Sequence, residues 1–171
     1  MDYMNKSLLN SIGLSYGELS LKGKNRGQFE KMLRNRINRA LSGYEFQLND
    51  DLSKLYVDVK TEDMEEITEK LKKIFGIVGL NQSVKIERND NIIKEKVLEI
   101  ANYAYQNGAR NFKIAVKRSN KGFEKKSMDY AKELGAYILI NSPFEKVKMQ
   151  NPDILINIDI RKNVYIYTER I

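Results

Sequence analysis

KLYVDVKTEDMEEITEKLKKIFGIVGLNQSVKIER, residues 54–88, changes its hydrophobic period twice. Leu55, Val57 and Val59 alternate with polar neighbours, the two-residue period of a strand with one face toward a core. From Met64 the step lengthens, and Met64, Ile67, Leu71, Ile74 and Phe75 recur at helical spacing. The acidic run EDMEE suits the positive end of that helix's dipole. IVGLNQSVKIER then returns to a strand. A strand, helix and strand in this order call for a sheet covered by a helix on one face.

Working outward toward the N-terminus, YEFQL (44–48) is a short alternating run, and the turn-rich NDDLS (49–53) joins it to KLYVDV as a hairpin. Before it, Phe29, Met32, Leu33, Ile37, Ala40 and Leu41 form one face of a helix over residues 26–41. Lys31, Asn35, Asn38 and Arg39 form the opposite face. Asn25 with Gln28 makes a capping-box-like start, and Gly43 stands where the helix should stop. SIGLSYGELSL (11–21) reads as a strand whose apolar parity changes: Ile12, Leu14 and Tyr16 share one side, Leu19 and Leu21 the other. A bulge at Gly17 reconciles them. Residues 9–88 thus read strand, helix, strand, strand, helix, strand, the βαββαβ ferredoxin-like arrangement. The predicted N-terminal domain is 1–88.

Toward the C-terminus a second domain, 89–171, opens with a helix from Ile92 to Gln106 that places Ile93, Val97, Ile100, Ala101 and Ala104 on one side. FKIAVKRS follows as a half-buried strand with Phe112, Ile114 and Val116 inward and Lys113 and Lys117 outward. The loop NKGFEKK leads to a helix from Ser127 to Asn141 that packs through Ala131, Leu134, Gly135 and Ile138 and is broken by Pro143. DILINIDI and NVYIYTE make a closing hairpin that turns at Lys162 and Asn163. Ile154, Ile156, Ile158 and Ile160 share one face of it. Tyr165 and Tyr167 are expected on its outer face, in sheet packing rather than as stacking platforms. The class is α+β, a ferredoxin-like domain followed by an α/β domain.

Composition narrows the chemistry. The 171 residues are 42% hydrophobic and 31% charged, an ordinary folded balance. There is no Cys and no His, which removes disulfides, thiolate nucleophiles and the commonest metal ligand and acid-base group. No apolar run approaches a bilayer span, and the start lacks a secretory pattern, so the cytoplasm is the expected compartment. No catalytic residue and no metal site is assigned within this chain.

The net charge is +7 and the isoelectric point near 9.4, which favours acidic partners. The excess is concentrated. Residues 20–40 hold seven cations (Lys22, Lys24, Arg26, Lys31, Arg34, Arg36, Arg39) against Glu30, and residues 110–126 hold seven (Arg110, Lys113, Lys117, Arg118, Lys121, Lys125, Lys126) against Glu124. In the first segment, glycines and a helix start offer N–H groups and close approach to a phosphate. It is not a nucleotide P-loop, since G-x-x-x-x-G-K-[ST] is unmatched. Glu18 there reads as a salt-bridge partner for the cations. In the second segment, cations surround Phe123, a combination that suits single-stranded RNA. The alternative is that Phe123 tucks into its own core and the lysines are merely solvated.

These motifs carry a resemblance. YGELSLKGKNRGQFEKML (16–33) resembles the N-terminal region of bacterial tRNA sulfurtransferases, the 4-thiouridine synthases also linked to thiamine biosynthesis. FKIAVKRSNKGFEKKSMDYAKELGAYI (112–138) and NPDILINIDIRKNVYIYTERI (151–171) resemble a THUMP domain, with its strand, Arg-x-x-Lys loop, Ser-led helix, Pro-Asp turn and hairpin. The resemblance implies that the two domains hold tRNA, with THUMP gripping the acceptor arm and 3′ end. A later ATP-pyrophosphatase domain, using ATP and Mg²⁺, would thiolate uridine 8. Carried over by motif, Lys22, Lys24, Arg26, Lys117, Arg118, Lys121, Phe123 and Ser127 are the candidate RNA contacts, and the charge clusters add Lys31 and Lys125. The Ser-Gly-Gly-x-Asp-Ser type loop and the catalytic cysteines of that family are missing, so this sequence is expected to be the non-catalytic, RNA-binding part of a longer enzyme. The resemblance implies a cysteine desulfurase as sulfur donor for the full-length protein and leaves room for a homodimer; no membrane is involved. Two alternatives stay open: the module of another THUMP-containing RNA-modifying enzyme, such as a methyltransferase, or a ferredoxin-like small-molecule-sensing or oligomerisation module.

Overall fold

A computed structural model describes residues 3–16, 26–119, 122–123 and 125–168. The chain divides into two compact units, Leu9–Ser83 and Val84–Glu169, the second also taking in Met1–Leu8.

The first unit contains β1 (Ser11–Tyr16), α1 (Arg26–Ala40), β2 (Phe46–Asp51), β3 (Lys54–Val59), α2 (Met64–Lys72) and most of β4 (Ile77–Ile86). Its strand order, β2-β3-β1-β4, is antiparallel throughout and is that of a ferredoxin-like fold. Leu33, Ile37 and Leu41 at α1, with Ile67 and Leu71 of α2, are fully buried along with Ile12, Leu14 and Val57 of the sheet. Each such side chain stabilises the fold by about 1.5–3 kcal/mol through removal from water.

Several local expectations are sharpened. The hairpin turn is tighter than NDDLS: Asp51 pairs with Lys54, leaving Leu52 and Ser53 at φ 51° and 67°. Two consecutive left-handed residues are what a two-residue hairpin turn demands, and Asp50 Oδ1 accepts the Ser53 N–H at 3.1 Å. Tyr56, on the side away from Leu55 and Val57, is also buried. It lies across from Gly13, where a Cβ would come within 2.9 Å of the ring. The irregularity in β1 lies between Ser15 and Tyr16, which face Gly79 and Ile77 and pass over Val78. Gly17, where the bulge was expected, lies outside the described residues, as does the expected cap Asn25. Gly43, at φ 94°, ends the first helix as expected.

Two expected core positions face water instead. Met32 is 40% exposed and Phe75 is 81% exposed. Helical spacing no longer applies at Phe75, because α2 ends at Lys72 and the chain turns through Gly76 at φ 103°. Ile74 goes inward and Phe75 is left outside.

The second unit holds α3 (Asp90–Gln106), β5 (Phe112–Arg118), α4 (Ser127–Asn141), β6 (Ile154–Ile160), β7 (Val164–Tyr167) and the last residues of β4. Val84, Lys85 and Ile86 pair antiparallel with Ile166, Tyr165 and Val164. β7 pairs antiparallel with β6, and β6 runs parallel to β5. A parallel pair needs a crossover, and α4 supplies it. Asn89 Oδ1 accepts the Ile92 N–H at 3.1 Å, so α3 begins at Asp90, two residues before the expected start. On α4, Tyr130 is buried where Ala131 was expected, and Ala131 is half-buried. Tyr165, expected on an outer face, is fully buried. The start of the chain groups with this unit because Met4 is buried and Asn5 shares a shallow depression with Leu98 and Asn102 of α3.

Candidate nucleic-acid interface

In the first unit two aromatic anchors flank the start of the basic segment in the sequence. Tyr16 closes β1, Phe29 lies in the first turn of α1, and their rings meet edge-on at 6.1 Å. Burial, with Glu30 nearby adding to it, pushes the Tyr16 hydroxyl up to about 12. Lys22 and Lys24 lie between these anchors, outside the described residues. Arg26 opens α1, and its side chain is likewise outside them. Further along α1, Lys31, Arg36 and Arg39 line an open depression with Gln28, Met32 and Asn35. Lys31 is exposed there, as the amphipathic pattern requires. Arg34 leans away to Asp50 at 3.8 Å. Arg36 donates from Nη1 to the Phe75 carbonyl at 3.3 Å, and its guanidinium stands 5.9 Å from the centre of the Phe75 ring. Sequence reasoning missed Phe75 because its spacing imitates a core position. The Gly76 that follows it is the signal that could have found it.

In the second unit the cations at the end of β5 divide into two groups. Lys117 is exposed. Arg118 is half-buried, and its Nη1 donates to the carbonyls of Phe123 and Lys125, both at 3.1 Å. The loop is held at its root as well. Ser119 N–H donates to the Ile160 carbonyl at 2.9 Å and its hydroxyl to Asp159 Oδ1 at 3.3 Å. Asp159 in turn accepts from Arg161 Nε at 2.9 Å, an ion pair with both side chains 7% exposed. Phe123 rests on Tyr130, ring centres 5.1 Å apart, and is half-buried. Lys121 lies outside the described residues. Ser127 opens α4 at the rim of an apolar groove of about 520 Å³ between α4 and β5.

Lys125 joins a charge network that ties the loop to both helices. Its Nζ lies 2.6 Å from Glu133 Oε2 and 3.6 Å from Asp90, while Lys94 bridges the same two carboxylates at 2.9 and 3.1 Å. Tyr130 donates its hydroxyl to Asp90 Oδ1 at 2.8 Å. Burial works against the Asp90 carboxylate, but the Tyr130 and Lys94 hydrogen bonds and the charge of Lys125 outweigh it and hold Asp90 below its ordinary range. Lys125 and Lys94 lower Glu133, and Glu133 and Asp90 raise Lys94. Tyr130 is pushed far above the ordinary phenol range, by burial first and then by its bond to Asp90. The charge of Lys125 is thus matched locally, and its role in this arrangement is to fix the loop.

Both units match known domain families. Residues 11–81 match the ThiI ferredoxin-like domain and residues 87–169 the THUMP domain. The chain thus carries a ThiI-type ferredoxin-like domain followed by a THUMP domain. Its relatives include a protein of Clostridium acetobutylicum named "Probable tRNA sulfurtransferase", 38% identical over 98% of this chain. A Streptococcus suis protein of the same name is 40% identical over 94% of the chain. The ThiI-type pair spans 42% and 40% of those relatives' lengths. Among solved structures, PH1313 of Pyrococcus horikoshii superposes with a TM-score of 0.80 at 29% identity, over 95% of this chain and 55% of that one. A 4-thiouridine synthetase solved with RNA and ATP gives 0.75 at 30% identity, over 95% of this chain and 42% of that one. TrmN of Thermus thermophilus, at 14% identity and 0.56 over 92% of this chain and 44% of that one, shares the fold. In this THUMP domain, the Arg118 that holds the Phe123 and Lys125 carbonyls is the first residue of the Arg-x-x-Lys segment in the sequence.

Proposed function

We propose that this chain is the tRNA-holding part of a tRNA sulfurtransferase, placing the acceptor arm so that a C-terminal catalytic domain can form 4-thiouridine at uridine 8 with ATP. The observation that carries this reading is the ThiI-type pair itself, 30% identical to a 4-thiouridine synthetase solved in complex with RNA. The THUMP domain alone would fit other RNA-modifying enzymes, whereas the ThiI-type first domain favours the sulfurtransferase. Each unit contributes a basic surface: α1 with Lys31, adjoining the segment of Lys22, Lys24 and Arg26, and the end of β5 with Lys117, Arg118, Lys121, Phe123, Lys125 and Ser127. In this reading Lys117 meets phosphate directly, while Arg118 and Lys125 present the loop.

In this reading the chain docks the tRNA and the catalytic domain carries out the reaction. The described residues hold no cluster of three or more His, Cys, Asp or Glu fit for a metal ion. In this reading ATP and Mg²⁺ belong to the catalytic domain, and no step passes through them here. No helix among the described residues is long and apolar enough to cross a membrane. The reading places the protein in the cytoplasm with tRNA, a cysteine desulfurase supplying sulfur to the whole enzyme.

Titrating the 171-residue chain with tRNA, intact or lacking its 3′ end, across a salt series tests this. Affinity should fall by about 0.7–0.9 log units per tenfold rise in salt for each phosphate neutralised, and should weaken when the 3′ end is removed. Absent or salt-independent binding would end the reading.

A further inference from the structure

We infer that Phe75 and Arg36 form a stacking platform for one unpaired nucleobase of the bound RNA, beside the phosphate-facing side of α1. The inference rests on the RNA-binding reading and deepens it. An aromatic ring left 81% exposed on a folded unit calls for an explanation, and here the fold itself holds it outside. Gly76, which follows it, adopts φ 103° and lies so close to Phe29 that an added Cβ would come within 2.9 Å of that ring. Phe29 and Gly76 thereby fix the turn, so the Phe75 ring is displayed from a rigid position. Arg36 is fixed to the same turn by its bond to the Phe75 carbonyl, with its guanidinium over the ring. A planar cation beside an exposed aromatic ring offers π-stacking and cation–π contact together, and every base has a face to use them. Lys31 and Arg39 line the depression that contains Arg36 and are placed to neutralise the flanking phosphates. A peptide occupant is less well matched, because the surroundings are strongly cationic.

The chain contains no Trp, so Phe75→Trp makes that position its sole indole reporter. A single-stranded 12-nucleotide oligouridylate should quench its emission saturably, at the concentrations where fluorescence anisotropy of labelled RNA reports binding. A blunt RNA duplex of the same length should leave the emission unchanged. Phe75→Ala and Phe75→Leu should each weaken oligouridylate binding about tenfold without altering its salt slope, since stacking releases no counterion, and Phe75→Trp should restore it. Arg36→Gln should lower both affinity and slope. If anisotropy shows RNA binding while the indole is silent and Phe75→Ala binds normally, the platform is refuted and the RNA-binding reading survives. If the unaltered chain binds tRNA but not the oligouridylate, the platform falls alone, and if it binds neither, both fall.

Discussion

At Ser53 the backbone sits at φ 67° without the glycine that such a conformation favours. A left-handed non-glycine residue costs about 1–2 kcal/mol. Glycine relieves that strain but gives back roughly 0.4–1 kcal/mol in unfolded-chain entropy. Ser53→Gly should therefore stabilise the first unit by about 0.5–1 kcal/mol, read as a higher urea midpoint at unchanged slope. Gly76 gives the opposite case. At φ 103°, with Phe29 against it, Gly76→Ala should destabilise by about 1–3 kcal/mol. An unchanged midpoint would show that the turn relaxes freely. These residues also mark what sequence reading could not reach. Alternation and helical spacing located Leu55, Val57, Ile67 and Leu71 correctly, because one buried face imposes a period. Phe75 and Met32 fit the same period yet face solvent: Phe75 lies beyond the last turn of α2, and Met32 sits at the margin of the α1 stripe, where the apolar arc meets the basic face.

Among the elements, the loop after β5 depends on its neighbours for shape. Arg118 holds two of its carbonyls with one guanidinium nitrogen, a geometry that a lysine's point charge does not reproduce from the same position. Arg118→Lys keeps the charge, so it should lose RNA affinity and speed amide exchange at Phe123 and Lys125 while leaving the melting temperature of the unit nearly unchanged. Retained affinity would make Arg118 a simple phosphate contact. The network behind the loop gives a pH signature. Asp90 and Glu133 are held below their ordinary values, so their contribution is fully present above the unfolded carboxylate range and is lost as pH falls through the lowered values. Lys94, raised, contributes below the ordinary lysine value and loses that contribution as pH climbs through the raised one. Glu133→Gln should accordingly flatten the acid limb of a plot of melting temperature against pH. The cluster of cations was legible in the sequence, but its division into matched and solvent-facing charges was not. Asp90 and Glu133, which decide that division for Lys125, lie on other elements, 35 and 8 positions away in the chain.

For the molecule as a whole, the βαββαβ order was readable because hairpin, helix and strand each announce themselves within a few residues. The pairing of Asp159 with Arg161 left no such trace, since a charged pair two apart on a strand end reads as surface. Electrostatics offers a test at this scale. If Lys117 neutralises one phosphate, Lys117→Gln should reduce the slope of log affinity against log salt by about 0.7–0.9. An unchanged slope would remove Lys117 from the contact set.

The short pairing of Val84–Ile86 with β7 bears on how the two domains can be inherited or expressed separately. The matched family boundaries, 11–81 and 87–169, both leave these three residues out. A recombinant THUMP piece begun at residue 87 would lack the strand that covers Val164, Tyr165 and Ile166, all fully buried in the chain. It would present an open apolar edge, a template for self-association. Modular shuffling of this domain therefore has to carry part of the preceding strand with it, so the transferable unit is longer than the region that sequence similarity marks out.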